Sequence, residues 1–315
     1  MRSTLAPLGR ATGPPGAARA RPDGPAERPA ITQNGGSRLS TTRTIELAGR
    51  GSFQIELAGQ TAALAGAPAA HAAPALLLHG LGADSTLWYR VLPLLARERT
   101  VYAVDLRGHG DTRAAAGDRS LAAHATDVLA LADTLAPGGG GLHLLGTSLG
   151  GVIAQIAAAA EPARFVSLVL ACTWCAAPPG LDAAALADAI AAAPDIRVHF
   201  AGVVRAMLPD HPDDALLLLD AIAAADRTAL VQGARELFAY DGRERLAAIT
   251  APALVISAER DEMFPHAAAQ AIAAGLVDAR LGVLAGCGHA PYIERPQLFA
   301  GVVGEFWRER DAAPA

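Results

Sequence analysis

From Thr44 onward, the sequence alternates short runs of β-branched residues or leucine with longer amphipathic segments. The segments between the short runs carry apolar residues at helical spacings of three and four. This alternation predicts a mostly parallel sheet that is flanked by helices. The eight predicted strands are residues 45–48, 53–57, 75–79, 101–105, 142–146, 165–171, 253–257 and 280–284. The predicted helices between and after them are residues 87–96, 121–135, 149–160, 266–274 and 297–308.

One interval interrupts this alternation. About eighty residues separate the sixth predicted strand from the seventh, whereas connections in compact domains usually span about 2–6 residues. Four further helical patterns fill the interval, at residues 181–193, 196–208, 213–225 and 227–239. We therefore expect a helical cap, residues 174–247, inserted into an α/β core that consists of residues 44–173 and 248–311.

Residues 1–43 differ from the rest of the chain because they are rich in Pro, Gly and Arg and lack periodicity, which predicts a disordered N-terminal extension. A targeting segment is the alternative, although no apolar run provides a signal-peptide core. This extension carries seven of the 26 basic residues, so the remainder has 19 Arg against 29 acidic residues. We expect so acidic a body to repel nucleic acid.

Composition excludes several kinds of chemistry and location. The chain contains no lysine, which excludes Schiff-base enzymes, P-loop nucleotide hydrolases, protein kinases and acyl enzymes of the S-x-x-K type. No uncharged apolar stretch reaches the roughly 20 residues of a membrane span, so no membrane association is expected. Three cysteines in 315 residues favour a cytoplasmic protein over a disulfide framework.

The segment around Ser148 carries the most chemical information. A predicted strand runs into Gly146-Thr147-Ser148-Leu149-Gly150, and a helical pattern follows at once. This strand, G-x-S-x-G, helix arrangement is a sharp turn in which a Cβ at either glycine would collide with neighbouring backbone. It presents the Ser148 hydroxyl at a helix N-terminus, where developing negative charge is stabilised. The alternative is an ordinary glycine-rich turn.

A nucleophilic serine needs a base and an acid that orients the base. Asp261 follows the seventh predicted strand and His289 follows the eighth, in the chain order Ser, acid, His. Glu259 and Glu262 compete with Asp261 for the role of acid, but Pro265 four residues after Asp261 fits the expected loop best.

With these residues, the chain from about Thr44 to Arg310 resembles members of the α/β-hydrolase superfamily, among them 3-oxoadipate enol-lactonases and carboxylesterases. His79-Gly80-Leu81, the D-x-R-G-x-G run from Asp105, and the G-H-x-x-x-x-E-x-P run from Gly288 to Pro296 carry the resemblance further. It implies Ser148 as nucleophile, His289 as general base and acid, and Asp261 as the orienting acid. It also implies an oxyanion hole made by the backbone N–H groups of Leu81 and Leu149. Ala258 and Thr147 depart from residues that are frequent in the family, without removing a catalytic group.

Other interpretations explain fewer residues. Gly80-Leu81-Gly82, followed by a helix and a strand that ends in Asp105, resembles a dinucleotide-binding unit, but Ser85 occupies the place of the third glycine. Cys172-x-x-Cys175 has no second ligand pair, so we expect a buried, inert pair and neither a metal nor another cofactor. His109 and His124 are assigned to the surface or to loops, and Asp105 to a structural role in its loop.

The resemblance indicates hydrolysis of a carboxylic ester or lactone of a small molecule. The alternatives are an acyltransferase or thioesterase that acts on an acyl carrier protein, a hydrolase of carbon–carbon bonds, and a ligand-binding protein without catalysis. An arginine of the cap that faced the pocket would favour an acidic substrate. The oligomeric state is not predicted. Large apolar side chains that either line the pocket or belong to the core are Trp88, Trp174, Phe200, Met207 and Phe238.

Overall fold

The structure is a computed structural model that describes residues 40–59, 72–137 and 141–312. Strands alternate with helices as the sequence predicts. The eight strands are β1 Ser40–Leu47, β2 Gly51–Ala58, β3 Ala75–Leu78, β4 Val101–Val104, β5 Leu142–Thr147, β6 Phe165–Ala171, β7 Ala253–Ala258 and β8 Ala279–Leu284. The helices are α1 Leu92–Leu95, α2 Leu121–Leu135, α3 Leu149–Ala160, α4 Ala183–Ala192, α5 Ile196–Met207, α6 Pro212–Ala224, α7 Arg227–Leu237, α8 His266–Gly275, α9 Pro291–Glu294 and α10 Pro296–Asp311.

All eight strands form one sheet in the order β1-β2-β4-β3-β5-β6-β7-β8. β2 pairs antiparallel with both β1 and β4, whereas the remaining pairs are parallel. The carboxyl ends of β3, β5, β6, β7 and β8 therefore meet at one edge of the sheet, where loops of the α/β class carry functional residues. This is the α/β-hydrolase fold that the sequence predicts.

Two apolar layers enclose the sheet, as the alternation of side chains along a strand requires. Leu77 of β3 packs in the layer that contains Trp88 and Trp307. Its neighbour Leu76 faces the opposite layer, with α2 and α3. Because both faces of the central strands are covered, β3 and β5 are buried along their whole length, which fixes the sheet edge on which the site is built.

The structure departs from the sequence prediction at the start of β1 and within one predicted helix. β1 begins at Ser40, so residues 40–43 belong to the sheet and not to the predicted disordered extension, whose residues 1–39 lie outside the described ranges. The reason is that β1 is an edge strand with mostly exposed side chains, so its composition resembles that of a loop. The helix predicted at 87–96 is two short pieces, a 3₁₀ helix Ser85–Trp88 and α1. Pro93 explains the break because proline fits only the first turn of a helix.

Helices α4 to α7 form the helical insertion between β6 and β7, close to the four predicted ranges. Its two ends are tied together near the sheet, because the Ala177 amide donates to the Tyr240 carbonyl at 2.8 Å and the Gly242 amide to the Cys175 carbonyl at 2.7 Å. The insertion therefore leaves and re-enters the core at one place, above the carboxyl end of β6. None of the helices in the described ranges has the length and apolar character needed to cross a membrane.

Candidate active site

Ser148 occupies a tight turn between β5 and α3. Its φ of 53° is a conformation that residues other than glycine rarely adopt, as expected where backbone strain serves a functional site. A Cβ at Gly146 would overlap the carbonyl group of Gly150, and one at Gly150 would overlap that of Leu78. Both positions therefore require glycine, as the sequence predicts.

Hydrogen bonds from β6 and its following loop hold this turn. The Ser148 amide donates to the carbonyl groups of Ala171 and Cys172, at 3.2 and 3.1 Å. The Thr173 hydroxyl donates to the Ser148 carbonyl at 2.7 Å. Because these contacts engage the backbone on both sides of the Cα atom, the Ser148 hydroxyl is left to face the cavity.

Asp261 and His289 come together from the loops after β7 and β8. His289 Nδ1 lies 2.8 Å from Asp261 Oδ2, and the second carboxylate oxygen accepts the amides of Met263 and Phe264, each at 3.0 Å. Burial alone would raise the pKa of Asp261, but the charge and hydrogen bond of His289, together with the two amides, lower it. The Asp261 carboxylate is therefore ionised at neutral pH and oriented toward the imidazole.

One further contact holds the His289 ring, and another holds the loop that carries it. Phe264 stacks on it with 4.9 Å between ring centroids and an interplanar angle of 17°. Glu294 accepts hydrogen bonds from the Gly288 amide at 2.9 and 3.0 Å and from the Ala290 amide at 3.3 Å. The glutamate of the G-H-x-x-x-x-E motif thus anchors the loop that carries the histidine.

The oxyanion candidates lie on either side of Ser148. Leu149 is the first residue of α3, where a backbone N–H has no intrahelical acceptor. Leu81 follows Gly80, and a Cβ added to Gly80 would lie 3.3 Å from that of Ser148, so this loop passes directly beside the serine. Buried His79 holds the loop, because its Nδ1 lies 2.8 Å from the Gly80 carbonyl and its Nε2 accepts the Leu106 amide at 3.0 Å. Burial lowers the pKa of His79, which keeps the ring neutral.

The D-x-R-G-x-G loop has a structural role. One Asp105 oxygen accepts the Ser85 amide and the other the Asp111 amide, each at 2.8 Å, as the sequence analysis expects. Arg107 forms a buried pair with Asp127, with separations of 2.8 to 3.0 Å. Because Asp105 is committed to backbone amides, it is not arranged to bind a ribose as the dinucleotide hypothesis requires.

Ser148 and His289 face one cavity of about 210 Å³ between the sheet edge and the helical insertion. Leu81, Phe200, Met207 and Phe238 also line it. Among the described residues, the rest of its wall is apolar apart from three side chains with polar groups. These are Thr147, His199 and Tyr292. The cavity thus joins the serine–histidine pair to a largely apolar space.

The structure decides between the alternatives left open for four buried side chains. Trp88 and Trp174 are fully buried outside the cavity wall, because Trp88 packs on Tyr292 and Trp174 on Phe264, with ring centroids 4.5 and 4.3 Å apart. They are core residues. His109 and His124 are also buried, so neither lies on the surface; His109 is in the loop after β4, as the alternative allows, whereas His124 is on α2, where the prediction is wrong.

The three cysteines are free and buried, as expected for the pair Cys172 and Cys175. The sequence predicts no role for Cys172 at the site. In the structure its sulfur, an Asp261 carboxylate oxygen and a His289 ring nitrogen all lie within 4.8 Å of one another. No spacing in the sequence indicates this contact, because it depends on the neighbouring ends of β6 and β7.

Comparisons with known proteins agree with this fold. The model of the alpha/beta hydrolase family matches residues 75–302. The chain is 30% identical to a pimeloyl-[acyl-carrier protein] methyl ester esterase of Neisseria meningitidis, over 73% of this chain and 91% of the relative. It is 26% identical to a monoacylglycerol lipase of Rattus norvegicus, over 75% of each chain. The crystal structure of an enol-lactonase from Burkholderia xenovorans superposes with a TM-score of 0.71 at 22% identity, covering 84% of this chain and all of that one, which shows a shared fold.

The mostly parallel sheet with its flanking helices, together with the matching family model and relatives, defines a class of hydrolytic enzymes. The chain belongs to the alpha/beta hydrolase family. Within that family it is an enzyme of the esterase type.

Proposed function

We propose that this enzyme hydrolyses carboxylic esters or lactones of small, uncharged, apolar molecules through an acyl-enzyme formed on Ser148. The observation that carries the proposal is the cavity, which presents Ser148 and His289 at one end of a largely apolar wall. Such a space binds an apolar group by removing its surface from water and brings its carbonyl carbon to the serine.

In the proposed reaction, His289 takes the hydroxyl proton as Ser148 attacks the carbonyl carbon. The leaving alcohol then takes this proton from His289 as its bond to carbon breaks. Water, activated by the same imidazole, cleaves the acyl-enzyme and regenerates the serine. The Asp261 hydrogen bond at 2.8 Å supports its role, because it fixes the Nδ1–H tautomer and leaves Nε2 to accept the proton.

The backbone N–H groups of Leu81 and Leu149 are proposed to bind the oxyanion. Leu149 begins a twelve-residue helix, so the partial positive charge of its N-terminus adds to the donated hydrogen bond. Loss of one such donor raises a barrier by roughly 3–4 kcal/mol in known hydrolases. Preorganised donors of this kind stabilise the transition state more than the neutral ester.

The cavity wall supports an uncharged acyl group over an acidic one. None of its lining residues in the described ranges is Arg, Asp or Glu. Two arginines of the helical insertion instead pair with its acids, Arg235 with Asp188 at 2.8 Å and Arg197 with Asp220. A carboxylate in this cavity would lose its hydration without gaining a charged partner, which is costly.

An ester carried by an acyl carrier protein is the second candidate. The Neisseria relative, whose name includes such a carrier, favours it. A carrier protein would need basic side chains free to meet its acidic surface. Arg197 and Arg235 are already paired, which supports the small-molecule proposal instead.

We also propose a cytoplasmic location, on the evidence of the three free cysteines.

Ser148→Ala tests the proposal. We expect the variant to lose measurable turnover of p-nitrophenyl butyrate and all covalent labelling by a fluorophosphonate, because no other hydroxyl is paired with the imidazole in this scheme. The labelled wild-type protein, digested and analysed by mass spectrometry, should carry the phosphonate on the peptide that contains Ser148.

Ser52→Ala is the matched control, because Ser52 is an exposed serine of β2 far from the cavity wall. It should label and turn over like the wild type. Labelling that survives in Ser148→Ala would remove Ser148 from the nucleophile role. A wild-type protein that labels and cleaves only the carrier-bound ester would favour the second candidate.

A further inference from the structure

Cys172 is the residue that joins the three parts of the site. It follows β6 directly and has a φ of 47°, so the chain turns there in a left-handed conformation that is uncommon for a residue with a Cβ. Of the described residues other than glycine, only Cys172 and Ser148 have positive φ. Such strain persists only where the surroundings enforce it.

The backbone of Cys172 makes two of these connections. Its carbonyl accepts the Ser148 amide at 3.1 Å, and its amide donates to the Ile256 carbonyl of β7 at 2.9 Å. β7 leads directly into the loop that carries Asp261. One residue is therefore bound on one side to the serine turn and on the other to the strand before the acid.

The side chain of Cys172 makes the third connection. Its sulfur lies within 4.8 Å of both a carboxylate oxygen of Asp261 and a ring nitrogen of His289. The carboxylate already has donors in the Met263 and Phe264 amides and in His289, so a thiol on its remaining side would complete its surroundings. A buried carboxylate that lacks hydrogen-bond donors has no fixed orientation, and its ionised form is costly.

We propose that Cys172 is a positioning residue that directs its S–H group at the Asp261 carboxylate and so keeps that carboxylate aimed at His289. The proposal rests on the proposed role of Asp261 as the orienting acid. Cys172 acts through Asp261 and His289 and does not touch the substrate in this scheme, because it is absent from the cavity wall.

The thiol can act as a hydrogen-bond donor only if it keeps its proton. Burial raises the pKa of Cys172 well above its usual value, and the neighbouring Asp261 carboxylate raises it further. The other titratable groups that act on this thiol are Cys287 and Glu294 from the His289 loop, while Tyr292 is affected by it in turn. These three groups are acids, and Cys287 and Glu294 favour the protonated thiol, whereas the His289 ring, which also lies within 4.8 Å of the sulfur, is a base.

Three variants separate the effect of the thiol donor from that of the strained backbone: Cys172→Ala, Cys172→Gly and Cys172→Ser. Alanine removes the donor, glycine removes it while relaxing the left-handed backbone, and serine keeps an O–H donor of similar size. We expect kcat to fall roughly threefold to tenfold in the alanine and glycine variants with KM unchanged, and to recover in the serine variant. Melting temperatures of the variants should show whether the fall in kcat comes from destabilisation of the fold. The glycine variant should be destabilised least by its backbone, because glycine adopts a positive φ without strain.

The pH profile of kcat/KM gives a readout that a purely structural role would not move. Without the thiol donor, the carboxylate charge is less compensated and holds the imidazole proton more firmly. The acidic limb should therefore shift to higher pH in the alanine and glycine variants and return in the serine variant. Cys175→Ala is the matched control, because this thiol is also buried but belongs to the other apolar layer. It should leave the profile unchanged.

The outcomes distinguish the two proposals. If Asp261→Asn retains full activity, the proposed acid is wrong. If Asp261→Asn inactivates the enzyme while the Cys172 variants match the wild type in kcat and in pH profile, only the role of Cys172 is overturned. A loss that serine does not rescue, with an unmoved acidic limb, likewise overturns it in favour of packing.

Discussion

The two walls of the cavity are built differently. On the sheet side, Ser148, Asp261 and His289 are buried, and every one is fixed by hydrogen bonds from backbone or carboxylate. On the side of the helical insertion, Leu186 of α4 and Val203 of α5 line the cavity yet remain 39% and 43% exposed. The first wall is held by directional contacts and the second mainly by apolar packing.

This difference assigns the two walls different tasks. Reaction chemistry needs groups held within fractions of an ångström, which hydrogen-bonded loops at the ends of buried strands provide. Recognition of an apolar group needs shape and removal of water, which helices packed through small side chains provide. We therefore expect changes on the sheet side to alter kcat for every substrate, and changes in the insertion to alter the choice among substrates.

Asp261→Asn should have the largest effect. Asparagine can keep its oxygen toward the Met263 and Phe264 amides, which places its NH₂ group against His289 Nδ1. The imidazole must then carry its proton on Nε2, where it cannot accept one from Ser148. We expect kcat to fall roughly 10³- to 10⁴-fold, as in other serine hydrolases with this change. Steady-state kinetics with p-nitrophenyl butyrate measure it.

Glu262→Gln is the control for this experiment, because Glu262 is the neighbouring carboxylate and is exposed. Its kcat should equal that of the wild type. A larger loss in Glu262→Gln than in Asp261→Asn would contradict the assignment and move the acid along the loop.

The sheet side of the site could be predicted from the sequence to a large extent. Strand, G-x-S-x-G, helix is a local pattern, and Asp261 and His289 follow predicted strands whose carboxyl ends must share one edge. The contact of Cys172 with Asp261 could not be predicted, because it requires the order of β6 and β7 and a backbone angle that cysteine rarely adopts. Local patterns specify elements, whereas contacts between loops depend on the assembled sheet.

The insertion side shows a different limit. Phe200 and Phe238 line the cavity while Trp88 and Trp174 are core residues, although all four are large and apolar. Size and polarity alone do not separate a residue that packs on another side chain from one that faces empty space. That distinction depends on which partner, such as Tyr292 for Trp88, lies opposite.

His124 provides a second test of the sheet side, through stability instead of catalysis. Burial is the largest cause that lowers the pKa of His124 to about 4, and the nearby Arg107 charge lowers it further. The unfolded chain, with a value near 6.5, therefore binds more protons between pH 6.5 and 4, and the free energy of unfolding falls as the pH drops through that window. His124→Leu should remove roughly 2 kcal/mol of the stability lost between pH 7.5 and 5.

Urea unfolding at the two pH values measures this difference. His199→Leu is the control from the insertion, because it makes the same substitution at an exposed histidine. An identical pH dependence in wild type and His124→Leu would mean that His124 does not contribute to acid sensitivity. It would also weaken the contrast between the sheet side, where His124 is buried, and the helical insertion, where His199 is exposed.

The smallest effect, and the sharpest test of the insertion, is a change in chain-length preference. Val203→Trp adds a large side chain at the cavity wall, at a position exposed enough to tolerate it. We expect kcat/KM for p-nitrophenyl octanoate to fall roughly tenfold while that for the acetate stays unchanged, because only the longer acyl chain meets the new ring. Val198→Trp on the same helix is the control, since Val198 is 72% exposed and does not line the cavity. Equal losses for both esters in Val203→Trp would mean that the insertion also helps to hold the catalytic groups, and the division between the two walls would then be wrong.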